Sequence, residues 1–221
     1  MGRIPRKHQL TGSLAYHVWS RSNGKVRIFH EEHDFRRFMS RLRQYSAECL
    51  ARIYHWCIMP NHFHIVMELP RPEELTLLMA RLLGGYARYY IKRYETAGHV
   101  WQGRFKSQPI QKEIYLLRCG RYVERNPYKA GIVERPWDYE WSSCRVYALG
   151  IDDGITERNP FYNGFGTTDE ERQFRYREWL MDGGDDEFKH ARGFAGDQQF
   201  TSNLALVGNR LMAKRNGRPM Q

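Results

Sequence analysis

The stretch "ARIYHWCIMPNHFHIVMEL" at residues 51–69 decides how this chain folds. It reads as two strands, residues 51–59 and 62–69, joined at the tight break Pro60-Asn61 and paired as a hairpin. Alternate side chains of a strand share a face. Phe63, Ile65 and Met67 therefore point one way, and His62 and His64 the other. The strictly apolar face sets the register, because a slip of one residue would exchange the two sets. Two neutral imidazoles side by side can chelate a divalent ion. Two satisfied surface histidines fit the same spacing.

Working outward, residues 14–19 are rich in strand formers and run into the turn-prone Ser22-Asn23-Gly24. Phe35, Phe38, Leu42 and Tyr45 recur at helical spacing, which predicts a helix over residues 31–48. After the hairpin, Leu75, Leu78, Leu82 and Tyr86 predict a second helix over 72–95, weakened locally by Gly84-Gly85. A short strand over 105–110 carries Pro109, a mark of an edge. A third helix over 113–126 is stopped by Pro127. The first six elements give β-α-β-β-α-β, so the expected class is α+β, a ferredoxin-like split β-α-β sandwich. Its two helices cover one face of the sheet and leave the other for a third helix or a ligand.

The 221 residues allow one domain with an extension. Composition shifts after Gly150 towards Gly, Asp and Asn, so the expected division is a domain over 1–150 and a C-terminal appendage over 151–221. The appendage carries helical stretches near 170–182 and 202–213 and ends in a basic tail. Charge divides in the same way: residues 1–150 carry +12, 151–197 carry −6 and 198–221 carry +4. A +12 block attracts a polyanion. Arg36, Arg37, Arg41 and Arg43 fall within eight positions, and guanidinium groups fork well onto phosphate oxygens.

Several classes are excluded on the same grounds. No apolar run reaches the roughly 18–20 residues of a membrane span. The basic start has no apolar stretch behind it, unlike a secretory signal. Cys49, Cys57, Cys119 and Cys144 lie far apart with no CxxC pair, so neither a disulfide scaffold nor a cysteine zinc ribbon is expected. The expected protein is soluble, cytoplasmic and without a membrane partner.

On the third helix Tyr122 and Asn126 stand four apart and share a face with Tyr115, Arg118 and Cys119. An amide oxygen can complete a metal shell while a phenol attacks. On the residues alone, a tyrosine packed in a helix–sheet seam, with Asn126 ending the helix, is the more ordinary reading.

Five ordered motifs bear a family likeness: "YHVWSRSNGK" at residues 16–25, "CIMPNHFHIVMELP" at 57–70, "GHVWQGRFKS" at 98–107, "YVERNPYKAGIV" at 122–133 and "YEWSSCRVY" at 139–147. Over roughly residues 5–150 the chain resembles the insertion-sequence-200-like single-tyrosine transposases of the HUH nuclease class. Within them it is most similar to the REP-associated tyrosine transposases. The resemblance implies an HUH nuclease core with an added tyrosine-bearing helix. It implies His62 and His64 as the metal-binding pair, Tyr122 as the nucleophile and Asn126 as a third ligand. Tyr115 is then a decoy, and Cys119, four residues after it, is a poor ligand for a hard ion.

The implied activity is metal-dependent cleavage and rejoining of single-stranded or hairpin DNA through a 5′-phosphotyrosine, with Mg²⁺ or Mn²⁺. The expected DNA-binding residues are His17, Arg21 and Lys25 around the first turn, Arg104 and Lys106 on the fourth strand, and Arg118. For Arg104 and Lys106 a solvated edge strand is the bland alternative. Tyr16, Trp19 and Trp101 could stack unpaired bases, although aromatics in strands more often join a core. Other functions open at this point are a domesticated, non-catalytic DNA- or RNA-binding regulator, a metal-independent ribonuclease using His62 and His64, and a replication initiator or relaxase. Monomer and homodimer are both open.

Overall fold

The computed structural model describes residues 15–110 and 113–182. Its sheet has strands β1 (Ala15–Arg21), β2 (Arg52–Met59), β3 (His62–Glu68) and β4 (Lys106–Ile110), in the order β2-β3-β1-β4 and antiparallel throughout. Helix α1 (Glu32–Glu48) follows β1, and α2 (Glu74–Tyr94) follows β3. This is the expected β-α-β-β-α-β order. The first strand runs two residues further than the sequence suggested. Pairing with β3 carries it on to Arg21, opposite His62.

Helix α1 starts with a capping box: the Glu31 side chain accepts from the backbone at Asp34, and the Asp34 carboxylate accepts from the backbone at Glu31. Its buried face, with Phe35, Phe38, Met39, Leu42 and Tyr45, meets the α2 face of Leu75, Leu78, Met79, Leu82, Leu83 and Tyr86. Both close on Val18, Phe63, Ile65 and Met67 of the sheet. Gly84-Gly85 leaves α2 unbroken, because this burial outweighs the local loss of propensity.

Helix α3 (Glu113–Glu124) crosses the other face, over β2 and β3. Pro127 does not simply stop it. The helix ends at Glu124, and a short helix α4 (Asn126–Lys129) begins with Asn126 and Pro127. Proline suits a first helical turn, where no N–H is needed. Residues 141–143 and 157 then bond along the outer edge of β2: Ile58 N–H donates to Trp141 O, Ser143 N–H to Trp56 O and Glu157 N–H to Ile53 O, at 2.8–2.9 Å. Strand β4 forms the opposite edge, with Pro109 beside Tyr16.

The expected break at residue 150 is absent. Helices α5 (Cys144–Leu149) and α6 (Asp169–Met181) share a second apolar cluster with the turn Pro160–Phe165, built on Tyr147, Tyr162, Tyr176 and Leu180. Leu117 of α3 packs against it. Residues 151–182 therefore pack into the same compact unit as the residues before them. Buried tyrosines account for the difference, since a polar-looking composition conceals a core. The expected helix at 202–213 and the basic tail lie outside the described residues. Among the described residues no helix is long and apolar enough to cross a membrane.

Candidate active site

Strand register brings the chemical groups together. Trp19 pairs with His64 and Arg21 with His62, so His17, Trp19, Arg21, His62 and His64 lie on the α3 side of the sheet. Lys106 of β4 stands beside Trp19 on the same side. The two imidazoles meet edge to face with ring centroids 5.2 Å apart. Each is oriented by a neighbour. The His62 Nδ1–H donates to Asn61 Oδ1 at 2.6 Å, which leaves Nε2 as its free acceptor. The His64 Nδ1 is bonded to His17 Nε2 at 2.9 Å. Burial, aided by the Arg21 guanidinium, pushes the His62 pKa down to about 4, so its ring is neutral at physiological pH.

Tyr122 stands over this pair. Its ring lies edge-on to His64 at 5.5 Å between centroids and to His17 at 6.0 Å. Burial raises its phenol above the usual range; Cys119 adds to this and Arg21 opposes it. Tyr115 lies two turns back along α3, about 10 Å away. Asn126 caps the end of α3, with Nδ2 donating to Tyr122 O at 2.8 Å and Val123 O at 3.1 Å. Its Oδ1 is the polar atom left over. Among the described residues no group of three His, Cys, Asp or Glu side chains is placed to hold a metal.

Behind the tyrosine lies a buried polar network. His55 Nδ1 is bonded to Glu124 Oε1 at 2.8 Å. The Ser143 hydroxyl donates to the same oxygen at 2.6 Å, and the Tyr176 hydroxyl to Oε2 at 2.8 Å. Asn159 Nδ2 lies 3.0 Å from His55 Nε2, and Tyr147 stacks on the His55 ring at 4.6 Å. Glu124 and His55 are fully buried. Glu124 is two residues from Tyr122, so the network fixes the end of α3 against β2 and α6.

The chain matches the family model described as "Transposase IS200 like" over residues 11–126. It belongs to the IS200-like transposase family. A Haemophilus influenzae relative that bears the provisional name REP-associated tyrosine transposase is 32% identical over 98 residues, covering 39% of this chain and 55% of the relative. The chain thus spans about half the length of that curated relative. The solved structure of a REP-associated tyrosine transposase bound to a REP hairpin superposes with a TM-score of 0.54 at 17% identity, covering 72% of this chain and 98% of that one. At that identity the likeness is one of fold.

In this IS200-like transposase the fold gathers His62, His64 and Tyr122, and it puts Asn126 one turn beyond Tyr122. His17 differs from its expected place among the DNA contacts. It is fully buried, stacked between Trp19 and His64, and it acts on the His64 ring. Arg21, Lys25, Arg104 and Lys106 are exposed, while Arg118 is half-buried on α3. Arg104 sits in the turn before β4 rather than on the strand. Of the three candidate base stackers, Tyr16 and Trp101 are core residues, and the Trp101 indole donates to Leu83 O. Trp19 alone of the three keeps partial exposure. Sequence reasoning missed the His55–Glu124 network. Its one signal was "YEWSSCRVY", whose Ser143 and Tyr147 both touch it.

Proposed function

We propose that this protein is a DNA strand-cleaving and strand-joining transposase with Tyr122 as its nucleophile. The observation that carries the reading is the Tyr122 ring lying 5.5 Å from that of His64, on the face His64 shares with His62. In the reaction the Tyr122 Oη attacks a backbone phosphorus. A P–O bond forms to the tyrosine, the P–O3′ bond breaks, and the 3′-oxygen leaves as a hydroxyl. The ester retains the bond energy, so a 3′-OH can attack it in return and rejoin the strand without ATP.

The chain's own groups have definable roles. His17 and Asn61 hold the two imidazoles in fixed orientation, as outer partners of ligands do. The neutral state of His62 keeps a lone pair available at neutral pH. The donor set of two imidazole nitrogens and the Asn126 amide oxygen fits a divalent ion such as Mg²⁺ or Mn²⁺. Held by His62, His64 and Asn126, the ion would supply Lewis-acid polarisation of the scissile phosphate. Arg21 and Lys106 present cations on the same face for the phosphate backbone, and Trp19 offers a ring for a base.

The solved relative holds a REP hairpin, and the +12 charge of residues 1–150 suits a polyanion. Single-stranded DNA folded as a hairpin is therefore the proposed substrate, met in the cytoplasm. Incubating the protein with such an oligonucleotide and Mn²⁺ should give a denaturant-resistant protein–DNA adduct that maps to Tyr122. Tyr122→Phe should abolish it while binding persists. An adduct that survives Tyr122→Phe and is lost in Tyr115→Phe would reject the assignment. Binding by the wild type with no adduct would leave a non-catalytic DNA-binding regulator on the same fold.

A further inference from the structure

The arginine cluster of α1 is not used by the site just described. It divides by face. Arg36 pairs with Glu32, and Arg43 donates to Asp153 O at 2.8 Å. Arg37 and Arg41 instead line a solvent-facing groove of about 580 Å³ between α1 and α2, facing Arg88, Lys92 and Arg93 of α2. This groove belongs to the helical layer, across the sheet from His62, His64 and Tyr122. Arg93 is held by Glu31. Among the described residues, none of Arg37, Arg41, Arg88 and Lys92 is ion-paired to a carboxylate. Four like charges gathered without carboxylate partners of their own are electrostatically costly in the free protein, and a polyanion relieves that cost.

The floor of the groove points the same way. Gly84 and Gly85 sit mid-helix, where each weakens α2 relative to alanine. Packing does not demand them. A Cβ at Gly84 would meet only the end of the Arg88 side chain at 3.5 Å, and one at Gly85 only the Tyr45 hydroxyl at 3.9 Å. Both are ordinary contacts. Gly85 lines the groove, and a bare backbone allows close approach from outside.

We propose that the α1–α2 groove is a second nucleic-acid site, which takes the phosphodiester backbone of a single DNA strand flanking the hairpin. Arg37 and Arg41 on one wall, and Arg88 and Lys92 on the other, are each one helical turn apart, about 6 Å, and so form two short cationic rows. Packed helices have axes about 8–10 Å apart, so the cleft between them admits one backbone and not a duplex. The proposal rests on DNA being the substrate, but not on the tyrosine chemistry.

The test compares two hairpin oligonucleotides, one blunt and one with a single-stranded flank of about ten nucleotides. Binding is read by fluorescence anisotropy on Tyr122→Phe protein, so that no covalent link forms; cleavage is read separately on the wild type. The groove stands or falls on the first measurement and the phosphotyrosine chemistry on the second. Arg37→Gln/Arg88→Gln should weaken binding of the flanked hairpin roughly tenfold and lower its salt slope by about 2. It should leave the blunt hairpin nearly unaffected. Arg36→Gln/Arg135→Gln removes the same charge from acid-paired positions and should cost less than about twofold. Gly85→Leu changes no charge and favours the helix, yet should also weaken the flanked hairpin selectively. Equal losses in both double variants, or equal losses on both hairpins, would overturn the proposal.

Discussion

The His55 ring lies directly beneath Gly120: a Cβ built on Gly120 would stand 2.4 Å from His55 Nε2. The imidazole cannot yield, because Glu124 and Asn159 bond its two nitrogens and Tyr147 stacks on it. Glycine at this position lets α3 sit close enough to β2 for Tyr122 to reach His64. Gly120→Ala should therefore lift the helix. We expect a stability loss of about 1–3 kcal/mol, measured by urea denaturation, and a fall in Tyr122 adduct larger than the unfolded fraction explains. A variant with wild-type stability and adduct yield would refute this role.

Glu124 accepts from three directions in a fully buried site. Glu124→Ala would leave His55, Ser143 and Tyr176 without their partner, at a cost of about 3–5 kcal/mol. Glu124→Gln keeps an acceptor for His55 and Ser143 and an amide for the Tyr176 oxygen. It should cost well under half as much. Denaturation midpoints of the two variants decide the matter, and equal losses would mean that the charge itself is required.

The depressed pKa of His62 has a consequence for stability. Unfolded, the ring takes a proton below about pH 6.5; folded, it resists until about 4. The unfolded state therefore binds more protons between those values, and stability falls as pH falls through that window. This one group contributes at most about 1.4 kcal/mol per pH unit. His62→Gln should flatten the slope between pH 6.5 and 4 and leave it unchanged above 7, as followed by thermal melts.

A phenol raised by burial is protonated at neutral pH. If the phenolate is the attacking species, the rate of adduct formation should rise close to tenfold per unit between about pH 7 and 9, a range in which His62 no longer titrates. A flat profile on a quench-flow gel would show that the proton passes to a base during the attack.

Removing the divalent ion tests the other half of the site. EDTA, or His62→Ala with Mn²⁺ present, should abolish the adduct while hairpin binding by the exposed cations persists. Cleavage that continues in EDTA would reject the metal role.

The hairpin at residues 51–69 and the helical periodicities of α1 and α2 could be read from residue order alone, because each pattern is local and each apolar face has one cover. The facing of His62 and His64 followed from strand alternation. The partners of His64 and Glu124 did not, since they lie far along the chain: 47 residues separate His17 from His64, and 69 separate His55 from Glu124. Pro127 misled for a different reason. The same ring that ends one helix is tolerated in the first turn of the next. The boundary at 150 misled because Tyr147, Tyr162 and Tyr176 were scattered among polar residues and only the fold collects them.

Tyr122 meets His64 within one polypeptide. Within one copy the fold alone brings the Tyr122 ring to the imidazole pair, and the expectation that follows is a site that needs no second copy. Turnover should scale in simple proportion to enzyme, with no square-law fall at low concentration. Mixing Tyr122→Phe chains with His62→Ala chains should restore nothing, because neither lends the other its missing half.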